Sequence, residues 1–143
     1  MAHVLVAHSD EGVRDVIAAA LRDVGGHRVL TTSDGVVAIA ALWLSERPMV
    51  ALMDERLLPF SAMDVLRVAA NDRSGGQLAR HHYVLLSTWP QRVAALRQKL
   101  LARLDVPMLA LPFDLTALLD IVDKAHYGRD LGAPASLASS AGA

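Results

Sequence analysis

Short runs of apolar residues recur along the chain, and each run is followed by a segment in which apolar residues fall at helical spacing. Continuous apolar runs of this length are typical of strands that are buried on both faces. They predict strands at residues 3–7, 27–31, 49–53, 83–86 and 106–111. The segments that follow them predict helices at residues 13–24, 35–45, 62–70, 91–104 and 114–127. Strands that alternate with helices predict an α/β domain whose parallel sheet is covered on both faces.

Three expectations concern individual side chains. Asp34 is expected to cap the second helix, because its carboxylate can accept from the first free amide groups. On that helix we expect Ala40, Trp43 and Leu44 to point inward. Histidines such as His27, and His81 with its neighbour, stand at the entries of two predicted strands, where we expect them to be solvated.

Polar residues follow the apolar runs at the carboxyl ends of the predicted strands. In open parallel sheets these ends meet at one edge, and ligands bind there. We therefore expect a single crevice that collects the following residues: His8, Ser9, Asp54, Ser87, Thr88 and Leu111.

Composition narrows the class of protein. The chain has 143 residues, a net charge of −1 and no cysteine, so charge gives no argument for nucleic acid as a partner and thiol chemistry is excluded. No apolar run approaches the ~18 residues of a membrane span, and no signal peptide is evident, so we expect a cytoplasmic protein. Residues 128–143 are small and polar and read as a tail or linker after a domain at 1–127.

Five stretches, in order and at plausible spacing, resemble the receiver domain of two-component response regulators. They are VLVAHSDEGVR, TTSDGVVAIAAL, RPMVALMDERLLP, YVLLST and MLALPFDLTALL. The resemblance covers residues 3–127. It implies a flavodoxin-like (βα)5 doubly wound sheet with strand order 2-1-3-4-5.

The resemblance also implies a role for particular positions. Asp54 stands at the phosphoacceptor position, and Ser87 stands at the position of the hydroxyl switch residue. In the family, an acidic pair after the first strand joins the central aspartate in holding Mg²⁺, which requires oxygen ligands. Here that pair falls on His8 and Ser9, with Asp10 following. A shift of one or two residues would bring forward Asp10 and Glu11 instead, but they lie past the strand end.

Two further positions depart from the family pattern. The lysine after the fifth strand, which pairs with the phosphoryl group, falls on Leu111, and the aromatic switch position falls on Met108. Without cation or lysine, a phosphodonor ~4 Å from the carboxylate meets roughly 4 kcal/mol of repulsion per charge pair at an effective dielectric of ~20. The sequence therefore indicates a pseudo-receiver: a non-enzymatic, phosphorylation-independent signalling module without a cofactor.

Two alternatives stay open for the function. One is a working phosphoacceptor, in which Asp54 is phosphorylated and Mg²⁺ is required. The other is a small-ligand sensor, in which an apolar ligand occupies the crevice above Leu111 and Met108. A hydrolase built on Ser87 is not favoured, because no general base stands at a catalytic spacing.

His8 raises a further hypothesis about the crevice. If it lies beside Asp54, its imidazolium can neutralise the carboxylate where a metal once did, and the anionic neighbour should raise the pKa of the histidine. Alternatively, His8, Asp10 and Asp54 together suit a transition metal. Against that site, Asp10 is expected to cap the first helix.

Opposed charges on the last two predicted helices suggest an interaction face. In some receiver families the fourth helix, fifth strand and fifth helix dock a second copy through such charges. The resemblance thus implies a protein partner or a homodimer at this face. From the composition we expect no membrane and no direct nucleic-acid contact. The charged positions are Arg92, Lys99, Arg103, Asp120 and Asp123.

Overall fold

The computed structural model describes residues 1–72, 76–88 and 106–131, with the side chains of the last helix described to residue 127. The strands are β1 (His3–Ala7), β2 (Arg28–Thr32), β3 (Val50–Asp54), β4 (His82–Ser87) and β5 (Met108–Ala110). The helices are α1 (Glu11–Asp23), α2 (Gly35–Leu44), α3 (Ala62–Ala70) and the C-terminal helix (Leu115–Leu131). The helix predicted at residues 91–104 lies outside the described residues.

The strands form one parallel sheet in the order β2-β1-β3-β4-β5, which confirms the predicted fold. The register pairs Ala7 of β1 with Met53 of β3, and Asp54 with Leu86 of β4. The carboxyl ends of these strands therefore meet at one edge. The strand order reverses between β1 and β3, and open α/β sheets place their sites at such a point.

The core has two layers, one on each face of the sheet. One apolar cluster lies between the sheet and helices α2 and α3, and it includes Leu5, Met53 and Leu66. The other lies between the sheet and helix α1 with the C-terminal helix, and it includes Leu52 and Ile17. Strand β3 is buried along its whole length, as its continuous apolar run predicted.

Local signals place the helix starts. The Asp10 carboxylate accepts a hydrogen bond from the Val13 amide at 3.0 Å, so it caps α1 as predicted. Asp34 caps α2 in the same way, and Ser61 with Asp64 forms a capping box at α3. The C-terminal helix extends to residue 131, four residues beyond its predicted end at 127.

The predicted inner face of α2 is wrong. Ala40, Trp43 and Leu44 face solvent, whereas Ala38 and Leu42 are buried. The helix sequence GVVAIAALWL is apolar on every side, so periodicity alone cannot select a face. Tertiary packing selects it: a Cβ on Gly35 would lie 1.9 Å from the carbonyl oxygen of Phe60, so this glycine lets the 55–60 loop close on the helix start.

The predicted exposure of two histidines is also wrong. His27 and His81 are both buried. His27 accepts a hydrogen bond from the Ala2 amide at its Nδ1, and His81 accepts one from the Met49 amide. Each ring satisfies a backbone group beside the start of a strand, and this contact compensates for the loss of water around the ring.

Candidate functional site

The carboxyl edge of the sheet brings three of the predicted site residues together. His8 follows β1, Asp54 ends β3, and both are buried, with exposed fractions of 2 % and 1 %. The Nε2 atom of His8 lies 3.8 Å from Oδ2 of Asp54. The Ser9 hydroxyl donates a hydrogen bond to the same Asp54 oxygen at 3.1 Å. His8 and Ser9, the residues predicted at the acidic-pair positions, therefore both approach the carboxylate.

The hydrogen bonds of His8 define its neutral tautomer. Its Nδ1 accepts from the Asp10 amide at 3.0 Å, so the proton of the neutral ring is on Nε2. Among the described residues this buried Nε2 has no hydrogen-bond partner, because the distance to Asp54 is beyond hydrogen-bond range. A buried polar group without a partner is uncommon in folded proteins and frequently marks a functional site.

Burial lowers the pKa of His8 below its ordinary value of 6.5, although Asp54 and Asp10 act to raise it. The cations Arg56 and Arg14 lower the pKa further. The prediction of a raised pKa is therefore wrong: desolvation of the imidazolium outweighs its attraction to the carboxylate. At neutral pH the ring beside Asp54 is an uncharged hydrogen-bond donor.

Glu55 also lies at this edge, although it was not among the site residues predicted from the sequence. Its side chain is buried, and the hydroxyl of Ser87 donates a hydrogen bond to its Oε2 atom. The hydroxyl of Ser87, which the resemblance predicts to be the switch residue, is thereby held by Glu55. The signal in the sequence was a second acidic residue directly after Asp54, at the end of an apolar run that predicts a fully buried strand.

Leu111 and Met108, predicted to stand at the lysine and aromatic-switch positions, pack on opposite faces of the sheet. Leu111 packs against the cluster under α1, whereas Met108 packs against the cluster under α2 and α3. The predicted crevice with both residues at its floor is therefore wrong. The Leu111 amide donates to the carbonyl oxygen of Ser87 at 2.7 Å, so the backbone after β5 is tied to the carboxyl end of β4.

Solved structures with this arrangement of strands and helices come from signalling proteins. One is the receiver domain of a sensor histidine kinase from Pseudomonas aeruginosa, solved with a magnesium ion in its active site cleft. Its sequence is 21 % identical to this chain, and the TM-score is 0.70. The match covers 87 % of this chain and 96 % of that one. A response regulator receiver domain from Clostridium thermocellum has 20 % identity, a TM-score of 0.76, and coverage of 92 % and 98 %. The chain has the fold of a response regulator receiver domain.

A chemotaxis response regulator of Vibrio cholerae is similar in the same way, with 22 % identity, a TM-score of 0.71, and coverage of 87 % of this chain and 98 % of that one. No protein-family model matches the chain, and no curated protein does. At this level of identity the likeness shows the receiver fold.

An apolar cleft lies beside the site of this receiver fold, between the start of α1 and the segment after β5. Its volume is about 570 Å³. His8, Asp10, Arg56 and Thr88 contribute polar groups to its lining. The apolar lining residues are Val13, Val16, Ile17, Leu111, Pro112 and Phe113.

The predicted transition-metal site is not supported. The Asp10 carboxylate is engaged as the cap of α1, and the described residues contain no group of three histidine or acidic side chains that could hold a metal ion. None of the described helices combines the length and the apolar character needed to cross a membrane.

The predicted interaction face is described only in part. Arg92, Lys99 and Arg103 lie outside the described residues. Asp120 and Asp123 are exposed on the C-terminal helix, and each has a neighbour of potential opposite charge within its own chain. Asp120 pairs with Lys124 at 3.0 Å, and the Oδ1 atom of Asp123 lies 3.5 Å from Nε2 of His27.

Proposed function

We propose that this chain is a phosphorylation-independent, receiver-like module of two-component signalling that acts in the cytoplasm through contacts with another protein. It is not an enzyme in this proposal. The observation that carries the proposal is the surroundings of Asp54: a neutral His8 ring and the Ser9 hydroxyl approach the carboxylate at the positions where the family has its acidic pair.

The donor atoms at this edge do not suit Mg²⁺. The cation requires near-octahedral oxygen coordination and prefers carboxylates, whereas Ser9 offers a neutral hydroxyl and His8 a nitrogen. The His8 Nδ1 already accepts from a backbone amide, and its Nε2 carries a proton. Asp54 therefore lacks the acidic partners with which a receiver would hold the cation.

Electrostatics at Asp54 argue against phosphoryl transfer. Catalysis of this reaction consists mainly of positioning and of stabilising the charge on the transferring group. A neutral His8 supplies no positive charge, and Leu111 replaces the family's lysine with an alkyl side chain. An incoming phosphodonor thus meets a buried carboxylate that has no countercharge in contact with it in the part of the chain that the structure describes.

The hydroxyl of Ser87, at the proposed switch position, is already engaged in a hydrogen bond to Glu55. In a working receiver the switch hydroxyl turns toward the phosphorylated aspartate. Here Ser87 donates to the buried Glu55, and a charge-assisted hydrogen bond of this kind is stronger than a neutral one. Rotation of Ser87 toward Asp54 would leave a buried carboxylate without this donor, so Glu55 favours one fixed arrangement.

The partner surface follows from the same proposal. We place it on the C-terminal helix, where Asp120 and Asp123 are exposed, together with the positive residues Arg92, Lys99 and Arg103. Exposed charges contribute little to stability, but they direct association and select partners. The surface suits a protein partner with complementary charges, or a second copy of the chain.

Intact-protein mass spectrometry tests the proposal. The chain is incubated with acetyl phosphate and Mg²⁺ beside Asp54→Asn, and we expect no phosphoryl adduct on either protein. An adduct on the native chain that is absent from Asp54→Asn would show a working phosphoacceptor and overturn the proposal.

A matched variant shows whether the substituted positions are the cause. The triple variant His8→Asp, Ser9→Asp, Leu111→Lys restores the acidic pair and the lysine on the same fold. We expect this variant to gain an adduct that requires Asp54 and Mg²⁺. If the triple variant folds but gains no phosphoryl adduct, these three positions do not explain why the native chain is not phosphorylated.

The apolar cleft favours a second candidate, a sensor of a small apolar ligand. A cavity of about 570 Å³ is within the range of small-molecule sites, and most of its lining residues are apolar. Titration with the fluorescent probe 1-anilinonaphthalene-8-sulfonate tests it. Saturable binding that Val16→Glu abolishes would support a ligand site, and binding unchanged in that variant would contradict it.

A further inference from the structure

The outward face of α2 is apolar and has no described partner in its own chain. Trp43 is 44 % exposed and Leu44 is 76 % exposed, and Val36 and Val37 are each about half exposed. Ala40 is exposed between them. No residue of α2 is charged. A helix that is apolar all round is normally buried all round, so this face is suited to an intermolecular contact.

The spacing of these residues gives the face its shape. Residues three and four apart lie next to one another along a helix, so Ala40 lies between the valine pair and the Trp43–Leu44 pair on one continuous stripe. The buried residues Ala38 and Leu42 lie on the opposite side. Because the side chains are large at both ends and small at the centre, the middle of the face is shallowly depressed, and a second helix can approach it closely.

Two further exposed leucines extend the apolar area. Leu58 is 73 % exposed, and its carbonyl oxygen accepts from the Gly35 amide at the start of α2. Leu30 lies on the edge strand β2 and is paired in register with Leu5, so it points to the same face of the sheet as α2. Several exposed large apolar side chains in one region of a surface can mark an interaction site.

The charges at the two ends of α2 indicate which occupant fits. The first end carries Asp34, whose carboxylate caps the helix. At the other end, Arg47 and Arg80 outnumber Glu46, and Arg80 donates to the carbonyl oxygen of Ser45. A second α2 that lies antiparallel to the first brings each acidic end to a basic end, and it presents no charge to the apolar centre.

We propose that the α2 face (Val36, Val37, Ala40, Trp43 and Leu44) binds the α2 face of a second copy of this chain in an antiparallel, two-fold symmetric contact. In a two-fold contact the same patch is used on both molecules, and the residue at the centre faces its own counterpart. Ala40 occupies that centre. The proposal is independent of whether Asp54 can be phosphorylated and uses a different surface from the C-terminal helix.

The size of the face sets the expected strength. A stable interface buries about 800 Å² on each partner, and one ten-residue helix with two flanking leucines offers less than that. We therefore expect a dimer that dissociates in the micromolar range and whose population rises with protein concentration. Sedimentation velocity of the full chain across that range measures it.

Charge placed at Ala40 gives a decisive test. Glutamate there faces glutamate across the axis, so Ala40→Glu alone and Ala40→Lys alone should each weaken the dimer at least about tenfold. An equimolar mixture of the two variants should associate at least as well as the native chain. Ala19→Glu, at an exposed alanine of α1, is the matched control and should dimerise as the native chain does.

Three results would overturn the proposal. They are a native chain that stays monomeric throughout the range, a dimer that survives Ala40→Glu, and single variants that fail to associate when mixed although circular dichroism shows them folded. A dimer that survives Ala40→Glu but is lost in Asp120→Lys would instead place the contact on the C-terminal helix. None of these measurements involves phosphoryl transfer, so the proposed function stands or fails separately.

Discussion

The two edges of the sheet both hold buried histidines, and they differ in how the ring is satisfied. At the amino edge, His81 accepts from the Met49 amide through Nδ1, and its Nε2 lies 2.7 Å from the carbonyl oxygen of Leu42. At the carboxyl edge, Nδ1 of His8 also accepts a hydrogen bond from a backbone amide, but its Nε2 lies 3.8 Å from Oδ2 of Asp54, beyond hydrogen-bond range. Both ring nitrogens of His81 have partners, whereas the buried Nε2 of His8 has none among the described residues.

The difference separates a histidine whose contacts account for its burial from one whose described contacts do not. A ring that links two backbone groups, as His81 does, stabilises the fold and accounts for its own burial. The contacts of His8 within the described residues do not account for its burial in the same way. Open α/β sheets place their sites at the carboxyl edge, and there the His8 donor without a described partner lies beside the buried Asp54.

Replacement of each histidine by leucine gives the strongest test of this difference between the two edges. His81→Leu leaves the buried Met49 amide and the Leu42 carbonyl unpaired, and we expect the free energy of unfolding to fall by about 3 kcal/mol. His8→Leu frees only the amide of the exposed Asp10, which water can reach, and we expect a loss of about 1 kcal/mol. Urea unfolding followed by circular dichroism measures both. Equal losses would contradict the distinction between the two edges.

Asp54→Asn should increase the stability of the carboxyl edge. A buried carboxylate with a single hydroxyl donor among the described residues costs more to desolvate than an amide does, so we expect the free energy of unfolding to rise by about 1 kcal/mol. Because Asp54 acts to raise the pKa of His8, its loss should lower that pKa further. NMR titration of the His8 ring checks the second effect, and a pKa that rises in the variant would exclude the contact.

The pH dependence of stability should be the smallest effect. Burial lowers the pKa of His27 below 6.5, so between the two values the unfolded chain binds a proton that the folded chain does not. The free energy of unfolding is therefore at its full value above pH 6.5 and falls as the pH drops below it. His3 and His8 act in the same direction.

His27→Gln isolates the amino-edge contribution to this pH dependence. The glutamine side-chain oxygen can accept from the Ala2 amide but does not titrate, so the decline below pH 6.5 should become shallower. Urea unfolding at a series of pH values measures the slope. Asp123→Asn is the control: its carboxylate is exposed and acts to raise the pKa of His27, so its loss should not make the decline shallower. An unchanged slope in His27→Gln would show that other groups dominate.

Much of the fold was predictable because its signals are local. The apolar run before Asp54 predicted β3 to within one residue at each end, and the carboxylate of Asp10 predicted the start of α1. The site was predictable in part. The meeting of His8 with Asp54 followed from strand order, whereas the role of Glu55 depended on Ser87, which lies 32 residues away in the chain.

Apolar periodicity along the chain indicated the strands, the parallel sheet and the side chains expected at its carboxyl edge, because this signal acts over a few residues at a time. The order of the strands was implied by the resemblance to receiver domains, and the structure confirms it. Tertiary structure decided the rest: the burial of His27 and His81, the outward face of α2, and the sign of the pKa shift of His8. Each depends on atoms contributed by distant segments, because desolvation and hydrogen bonding are properties of the packed site and not of the residue.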